Sequence, residues 1–310
     1  MIKRTLSFNN PAYLSMRNRQ LVIRMPDNCD DLPPDNEECS GSYPIVKTIP
    51  IEDIGIVILD SPQITVTQAL LSALLENNCA VVTCDNKHLP TGLLLTLYGN
   101  TIQSERYLDQ INASIPLKKQ LWQQTVQAKI QNQALLLQQR CGIEASNMLV
   151  WAKSVRSGDP DNLEGRAAAY YWSVVFDNKC FRRESDDVRN AMLNYGYAIL
   201  RAIVARALAG AGLNPTIGIH HHNRYDAYCL ADDIMEPYRP YVDLLVLEIV
   251  SNDVPNEITP SIKRKLLELP VKEVIVNGTR HPLLIAVSHT VTSLRKCFSG
   301  ESRRLLYPEM

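Results

Sequence analysis

Long apolar runs are missing from this sequence. No uninterrupted stretch approaches the ~20 residues needed to span a bilayer, so the chain is not expected to enter a membrane. The opening Met-Ile-Lys-Arg-Thr-Leu-Ser-Phe-Asn-Asn-Pro carries basic residues with no apolar core after them, which makes a poor secretory signal. The eight cysteines form no C-x-x-C pair. Cys29 and Cys39 share one segment, yet no second pair of zinc-type ligands accompanies them. Scattered thiols of this kind read as reduced, as in a cytoplasmic protein. A surplus of positive charge is lacking too: 32 Lys and Arg against 33 Asp and Glu give a net charge of −1. That argues against a generic basic nucleic-acid coat, whose affinity rests on many unpaired cations. There is no H-E-x-x-H, G-x-S-x-G or Walker loop, so zinc peptidase, α/β-hydrolase and P-loop nucleotide hydrolase have no motif support. Nor is there an internal repeat, which argues against a solenoid.

What is present begins with an asymmetry. Asp27, Asp30, Asp31, Asp35, Glu37 and Glu38 lie between Met25 and Tyr43 with no Lys or Arg among them. Without these six, 27 acidic residues face 32 basic ones, so the neutral total conceals a positive remainder. With four prolines and few large apolar residues, the segment 26–44 is expected to be a surface loop inserted between strands. Around it, residues 4–8, 13–16, 20–24 and 46–49 are short, partly alternating runs that predict strands. Arg17-Asn18-Arg19 fits a hairpin connection, and the continuous apolar run 54–59 predicts a buried strand. Residues 67–76 have helical spacing, and 80–84 reads as another strand.

Beyond Gly99-Asn100-Thr101 the pattern turns helical. Segments 118–140, 147–155, 163–176, 186–209, 231–250, 261–269 and 283–298 are predicted as helices, with the domain boundary near 98–104. The fold class expected is therefore α+β: a small N-terminal β-rich domain over residues 1–100, followed by a larger all-α catalytic domain over 101–310.

Chemistry-bearing residues concentrate in two places. The first runs from Gly218-Ile219-His220-His221-His222-Asn223-Arg224 to Asp232-Asp233-Ile234-Met235-Glu236-Pro237-Tyr238-Arg239, with Asp243 beyond. Residues three apart share a helix face, so Asp233 and Glu236 can point at one spot. Pro237 is tolerated only near a helix start, where the dipole also favours acids. An imidazole with carboxylates is a mixed N/O set that suits Mn²⁺ or Mg²⁺ better than structural zinc. A solvated His loop followed by a charged helix start gives the same pattern, and Arg239 reads equally as an intrahelical partner of Glu236 or a phosphate clamp. The second place is Asp161-Asn162-Leu163-Glu164-Gly165-Arg166, where Asp161 is the expected N-cap and Glu164 falls three residues later as in a capping box.

Taken in order, Leu163-Glu164-Gly165-Arg166-Ala167-Ala168, Leu193-Asn194-Tyr195-Gly196-Tyr197, Gly218-Ile219-His220-His221 and Asp233-Ile234-Met235-Glu236-Pro237-Tyr238-Arg239-Pro240 resemble the spacer-acquisition integrase family of CRISPR systems, Cas-one in words. The resemblance covers nearly the whole chain. Asn10-Pro11-Ala12-Tyr13-Leu14-Ser15 and Cys84-Asp85-Asn86-Lys87-His88-Leu89-Pro90 resemble most the members from type II systems, those with a single large effector nuclease.

The resemblance implies a divalent metal, Mg²⁺ or Mn²⁺, held by Glu164, His221 and Glu236, with Asp233 as a further acid beside it. His220 and His222 flank the family's His position, and some members have Asp where this chain has Glu236. It implies a metal-dependent DNA endonuclease and integrase that joins a captured fragment to the CRISPR array by transesterification, with His221 either a ligand or a proton shuttle. A stand-alone nuclease on branched DNA and a catalytically idle DNA-binding scaffold are the competing readings. The partners implied are a second copy in a homodimer, the small second Cas protein (Cas-two) in a heterohexamer, double-stranded DNA as fragment and repeat, and the type II effector nuclease. The N-terminal domain would serve dimerisation and partner contacts. Residues 161–310 hold 18 basic and 18 acidic residues, so DNA must be met by local stripes. Arg166, Tyr197, Arg239 and His222 are the expected DNA contacts, with Arg182-Arg183, Arg189, Arg201 and Arg206 along the Asn-Tyr-Gly-Tyr helix.

Overall fold

The structure, a computed structural model, describes residues 3–26, 45–176, 187–251 and 253–310. The acidic segment after Pro26, Cys29, Cys39 and Arg182-Arg183 lie outside the described residues. The chain divides into two compact units, Met1–Leu97 and Tyr98–Met310.

The first unit is built from β1 (Arg4–Phe8), β2 (Ala12–Arg17), β3 (Gln20–Arg24), β4 (Ile45–Pro50), β5 (Ile54–Leu59), β6 (Ile64–Val66), α1 (Gln68–Glu76), β7 (Ala80–Cys84) and β8 (Pro90–Leu94). One sheet has the order β1-β5-β7-β8, parallel except for β8, and the other the order β4-β3-β2-β6. The unbroken apolar run of β5 follows from this topology: it pairs with parallel strands on both edges and nearly all of its side chains are buried. β2 and β3 pair antiparallel around Asn18-Arg19, both at positive φ (52° and 56°), the backbone that a two-residue hairpin turn demands. The core joins Phe8, Leu14, Leu21, Ile54 and Val57 to Leu70 and Leu74, which stand four apart on α1 and so share its inner face.

The second unit contains α2 (Gln103–Ile111), α3 (Ile115–Arg140), α4 (Ser146–Ser154), α5 (Leu163–Val174), α6 (Val188–Gly210), α7 (Cys229–Met235), α8 (Arg239–Val250), α9 (Pro260–Leu266), β9 (Glu273–Val276), β10 (Thr279–Pro282), α10 (Leu283–Phe298) and β11 (Pro308–Glu309). At 26 residues, α3 is about 39 Å long and forms the spine of the unit. It starts at Ile115, where the Ser114 hydroxyl accepts from Leu117 N–H at 3.3 Å and a proline occupies the first turn. Its inner stripe, Leu121, Trp122, Val126, Lys129, Ile130, Gln133 and Leu137, is buried along the helix length.

Two departures from expectation bear on the site. The single helix expected over 231–250 is instead α7, a 3-10 turn at Glu236–Tyr238, and α8, because Pro237 and Pro240 remove two helix hydrogen bonds in succession. The unit expected to be all helical also carries a small sheet of order β10-β9-β11. Asn277-Gly278 closes its hairpin, and Val274 and Val276 alternate inward along β9. Elsewhere, Gly196 of α6 lies so close to α8 that a β-carbon built there would stand 2.4 Å from Val242 Cγ1.

Candidate active site

The His loop is organised by one carboxylate. Asp233, on α7 and fully buried, accepts from Ile219 N–H at 2.7 Å and His220 N–H at 3.0 Å through Oδ2. Its Oδ1 accepts from His221 N–H at 3.1 Å and faces His221 Nδ1 at 2.6 Å. The loop approaches closely enough for this only because Gly218 has no side chain: a β-carbon there would sit 2.4 Å from the His221 carbonyl and 2.8 Å from Asp233 Oδ2. With Nδ1 engaged, Nε2 is the ring nitrogen left to face a ligand or exchange a proton. The bond to Asp233 raises the His221 pKa above its ordinary value, against the opposing effect of partial burial. His220 stacks flat on Trp122 of α3, with ring centroids 4.0 Å apart. Burial pushes its pKa down, away from protonation. His222 is exposed.

Three residues after Asp233, Glu236 turns toward a different partner. Lys129 Nζ, from the inner face of α3, lies 2.6 Å from Glu236 Oε2 and 2.6 Å from Glu164 Oε1. The lysine side chain is only 10% exposed, and those of Glu164 and Glu236 are 24% and 7% exposed. Arg239 donates from Nε to Glu236 Oε1 at 2.8 Å. Burial alone would raise the Glu236 carboxyl, but the charges of Arg239 and Lys129 overcome it and hold the pKa down to about 2. For Lys129, burial works against the charge, yet Glu236 and Glu164 raise its pKa above the usual lysine value. Glu164 comes from the first turn of α5, whose N-cap is Asn162 in the left-handed conformation rather than the expected Asp161. Asp159 caps further, accepting from Leu163 N–H and Glu164 N–H at 2.9 Å each, while Asp161 pairs with Arg156. The capping role is thus filled by neighbours, and the Glu164 side chain is directed to Lys129 instead.

The remaining expected residues separate by burial. Tyr197, expected at DNA, is buried, and its hydroxyl donates to Asp243 Oδ1; Tyr171 donates to Asp243 Oδ2 at 2.7 Å. The expectation fails because the Asn-Tyr-Gly-Tyr helix packs inward on α8 at this point. The Tyr197 ring instead lies 4.7 Å from the guanidinium of Arg239 and supports it. Arg166 is exposed and lies 4.5 Å over the Trp151 ring. Arg201 is bound to Asp232 through two hydrogen bonds of 2.6 and 2.8 Å, Arg189 pairs with Asp187, and Arg206 is buried.

The structure therefore brings Glu164 and Glu236 together around Lys129, with Arg239 on the other oxygen of Glu236 and the His221–Asp233 pair close enough for both glutamates to bias the imidazole. Among the described residues, no three His, Cys, Asp or Glu side chains are gathered into a ready cage for a metal ion. The donor set nonetheless suits a hard divalent cation: two carboxylates already converge on one cationic position, and an imidazole offers its second nitrogen beside them. Lys129 and Trp122 escaped the sequence reading. They stand seven residues apart on α3, two turns along one face, and a lysine in register with Leu121, Val126 and Leu137 was the available signal.

Residues 7–261 match the family model described as CRISPR associated protein Cas1. The chain is 35% identical to the CRISPR-associated endonuclease Cas1 of Neisseria meningitidis serogroup C (strain 8013), over all of this chain and 97% of that one. Among solved structures it resembles a casposase bound to integration product, with a TM-score of 0.75, 20% identity and coverage of 98% of this chain and 92% of that one. It also resembles a chain of a Cas6-RT-Cas1–Cas2 complex, with a TM-score of 0.73 and 19% identity over all of this chain and 36% of that one. At these identities the two structures share its fold.

Proposed function

Because the chain belongs to the CRISPR-associated Cas1 family, we propose that it is a divalent-metal-dependent DNA endonuclease and integrase of CRISPR adaptation. The observation that carries this reading is the convergence of Glu164 and Glu236, from separate helices, on one cationic position beside His221. Glu164, Glu236 and the Nε2 of His221 would hold Mg²⁺ or Mn²⁺. That ion would polarise the scissile phosphate and stabilise its transition-state charge. Asp233 fixes the loop so that the imidazole keeps one orientation and one tautomer. Arg239, backed by the Tyr197 ring, holds Glu236 ionised and contributes positive charge toward the phosphodiester.

The reaction is transesterification. The 3′-hydroxyl of a captured fragment attacks a backbone phosphate of the repeat, a new phosphodiester bond forms, and another 3′-hydroxyl leaves. Bond number is conserved, so no nucleotide energy source is needed. The working assembly in this reading is a homodimer, two of which are joined by Cas2 on double-stranded DNA, in the cytoplasm of a type II system whose effector nuclease is a further contact. Arg166 and His222, both exposed, are the DNA contacts in this reading. Among the described residues, no helix is long and apolar enough to cross a membrane.

The test combines short duplex DNA, a repeat-containing supercoiled plasmid, Cas2 and Mn²⁺. Joined products that disappear with Glu164→Ala and with Glu236→Ala are expected. Joining that survives both substitutions overturns the site, cleavage without joining replaces the integrase with a nuclease, and DNA binding with neither leaves a scaffold.

A further inference from the structure

We infer that Lys129 is an internal cation that competes with the divalent ion for the Glu164–Glu236 pair, so that metal enters only by displacing its ammonium. The inference rests on the reading of that pair as the metal site. Lys129 Nζ stands 2.6 Å from one oxygen of each glutamate. A magnesium-sized ion binds carboxylate oxygens at about 2.0–2.1 Å, so an ion shared by those same oxygens would overlap the ammonium. Two cations at that separation also repel strongly in a site with little solvent. The lysine cannot simply be a solvated side chain that drifted inward. Its stem leaves α3 from the buried stripe between Val126 and Gln133, and the side chain is 10% exposed.

The arrangement gives the free protein a definite state. Two acids from α5 and from the turn before α8 would repel and separate if both were left facing an empty position. The ammonium neutralises one charge, bridges both side chains, and keeps the helices that carry them in place before any metal arrives. Each divalent ion must then replace a bound monocation, which lowers the apparent metal affinity. Lys129 in this view is a positioning residue that sets the threshold at which the site fills.

Direct Mn²⁺ binding to the purified full chain tests this, with free aquo-Mn²⁺ counted by electron paramagnetic resonance and thermal unfolding followed with and without the ion. Lys129→Met is expected to bind Mn²⁺ about tenfold tighter than the unsubstituted protein or better, since its two carboxylates have no internal cation. It is also expected to unfold at lower temperature without metal and to gain more from Mn²⁺. Lys129→Gln, which keeps a donor for one carboxylate, is expected to shift in the same direction and serves if the methionine variant does not fold. Glu164→Gln provides the reference that removes half of the pair. If Glu164→Gln loses Mn²⁺ while both Lys129 variants bind it equally or more weakly than the unsubstituted chain, competition is overturned and the metal site stands. If the unsubstituted chain and Glu164→Gln bind Mn²⁺ alike, the metal site is overturned and the competition with it.

Discussion

The His loop and the glutamate pair adjoin one another, and each is organised by a buried carboxylate on the same helical path, yet the two are held by opposite means. Asp233 takes three backbone N–H groups and an imidazole that all belong to one short loop. Its partners are covalently close and cannot leave without the loop unfolding. Glu236 takes a lysine from α3 and an arginine from the next turn, both reaching it through long side chains. Only Ile234 and Met235 lie between the two acids, and the 3-10 turn begins at Glu236, directly after α7. Backbone donors make a fixed scaffold, whereas side-chain cations make an exchangeable contact. The loop carboxylate is thus held by backbone donors, and the Glu236 carboxylate by side-chain cations.

That contrast can be broken by substitution. The largest effect is expected from Asp233→Ala, which leaves three loop N–H groups and an imidazole without their acceptor, at a cost of about 4 kcal/mol. Urea unfolding at neutral pH measures it, and a loss no greater than that of Glu236→Gln would show that the loop does not depend on its carboxylate. Glu236→Gln is expected to cost somewhat less. A carboxyl lowered from 4.5 to about 2 corresponds to roughly 3 kcal/mol of preference for the ionised form. Because the folded value lies below the unfolded one, this contribution is complete above about pH 4.5 and is lost as pH falls toward about 2. Unfolding midpoints between neutral and acid pH should therefore fall more steeply for the unsubstituted protein than for Glu236→Gln; parallel curves would mean that Arg239 and Lys129 do not hold the charge.

The smallest effect is expected at a third buried carboxylate, Asp243, whose two hydroxyl donors are side chains but lie deep in the unit. Tyr171→Phe removes one of them and should lower stability by about 1–2 kcal/mol in the same unfolding assay. A drop as large as that of Asp233→Ala would place Asp243 among the fixed scaffold contacts and blur the division drawn above.

Spacing and residue type carried the sequence reading where chemistry is local. Glu164, His221 and Glu236 were singled out as a set by the resemblance, and each stands in a short motif whose neighbours constrain the backbone: Asn162 and Asp159 at a helix start, Gly218 in the loop, Pro237 after the acid. Lys129 was not legible in this way, since a lysine in a Gln-rich helix that also carries Lys118 and Lys119 looks solvated until the helix is known to be buried on that side. Tyr197 misled for the converse reason, because an aromatic in a recognisable motif suggests a ligand, while its position on α6 faces α8. The β9–β10 hairpin was available in Asn277-Gly278, a strong turn signal, but its strands are only four residues each and their alternation is brief. Helix ends were harder than helix existence: the cap of α5 fell to Asn162 because Asp161 turns outward to Arg156.

The close approach of Gly196 to Val242 also has a meaning for descent. A methyl group at position 196 would drive into Val242 Cγ1 at 2.4 Å, while the residues on either side of that contact, Tyr197 and Asp243, are bonded to each other. Position 196 cannot enlarge while the Val242 methyl stays where it is. A larger residue at 196 is admissible only in a lineage that has already shortened the side chain at 242, and any such pair of changes must also keep the tyrosine beneath Arg239. The two sites are thereby joined in inheritance as they are in space.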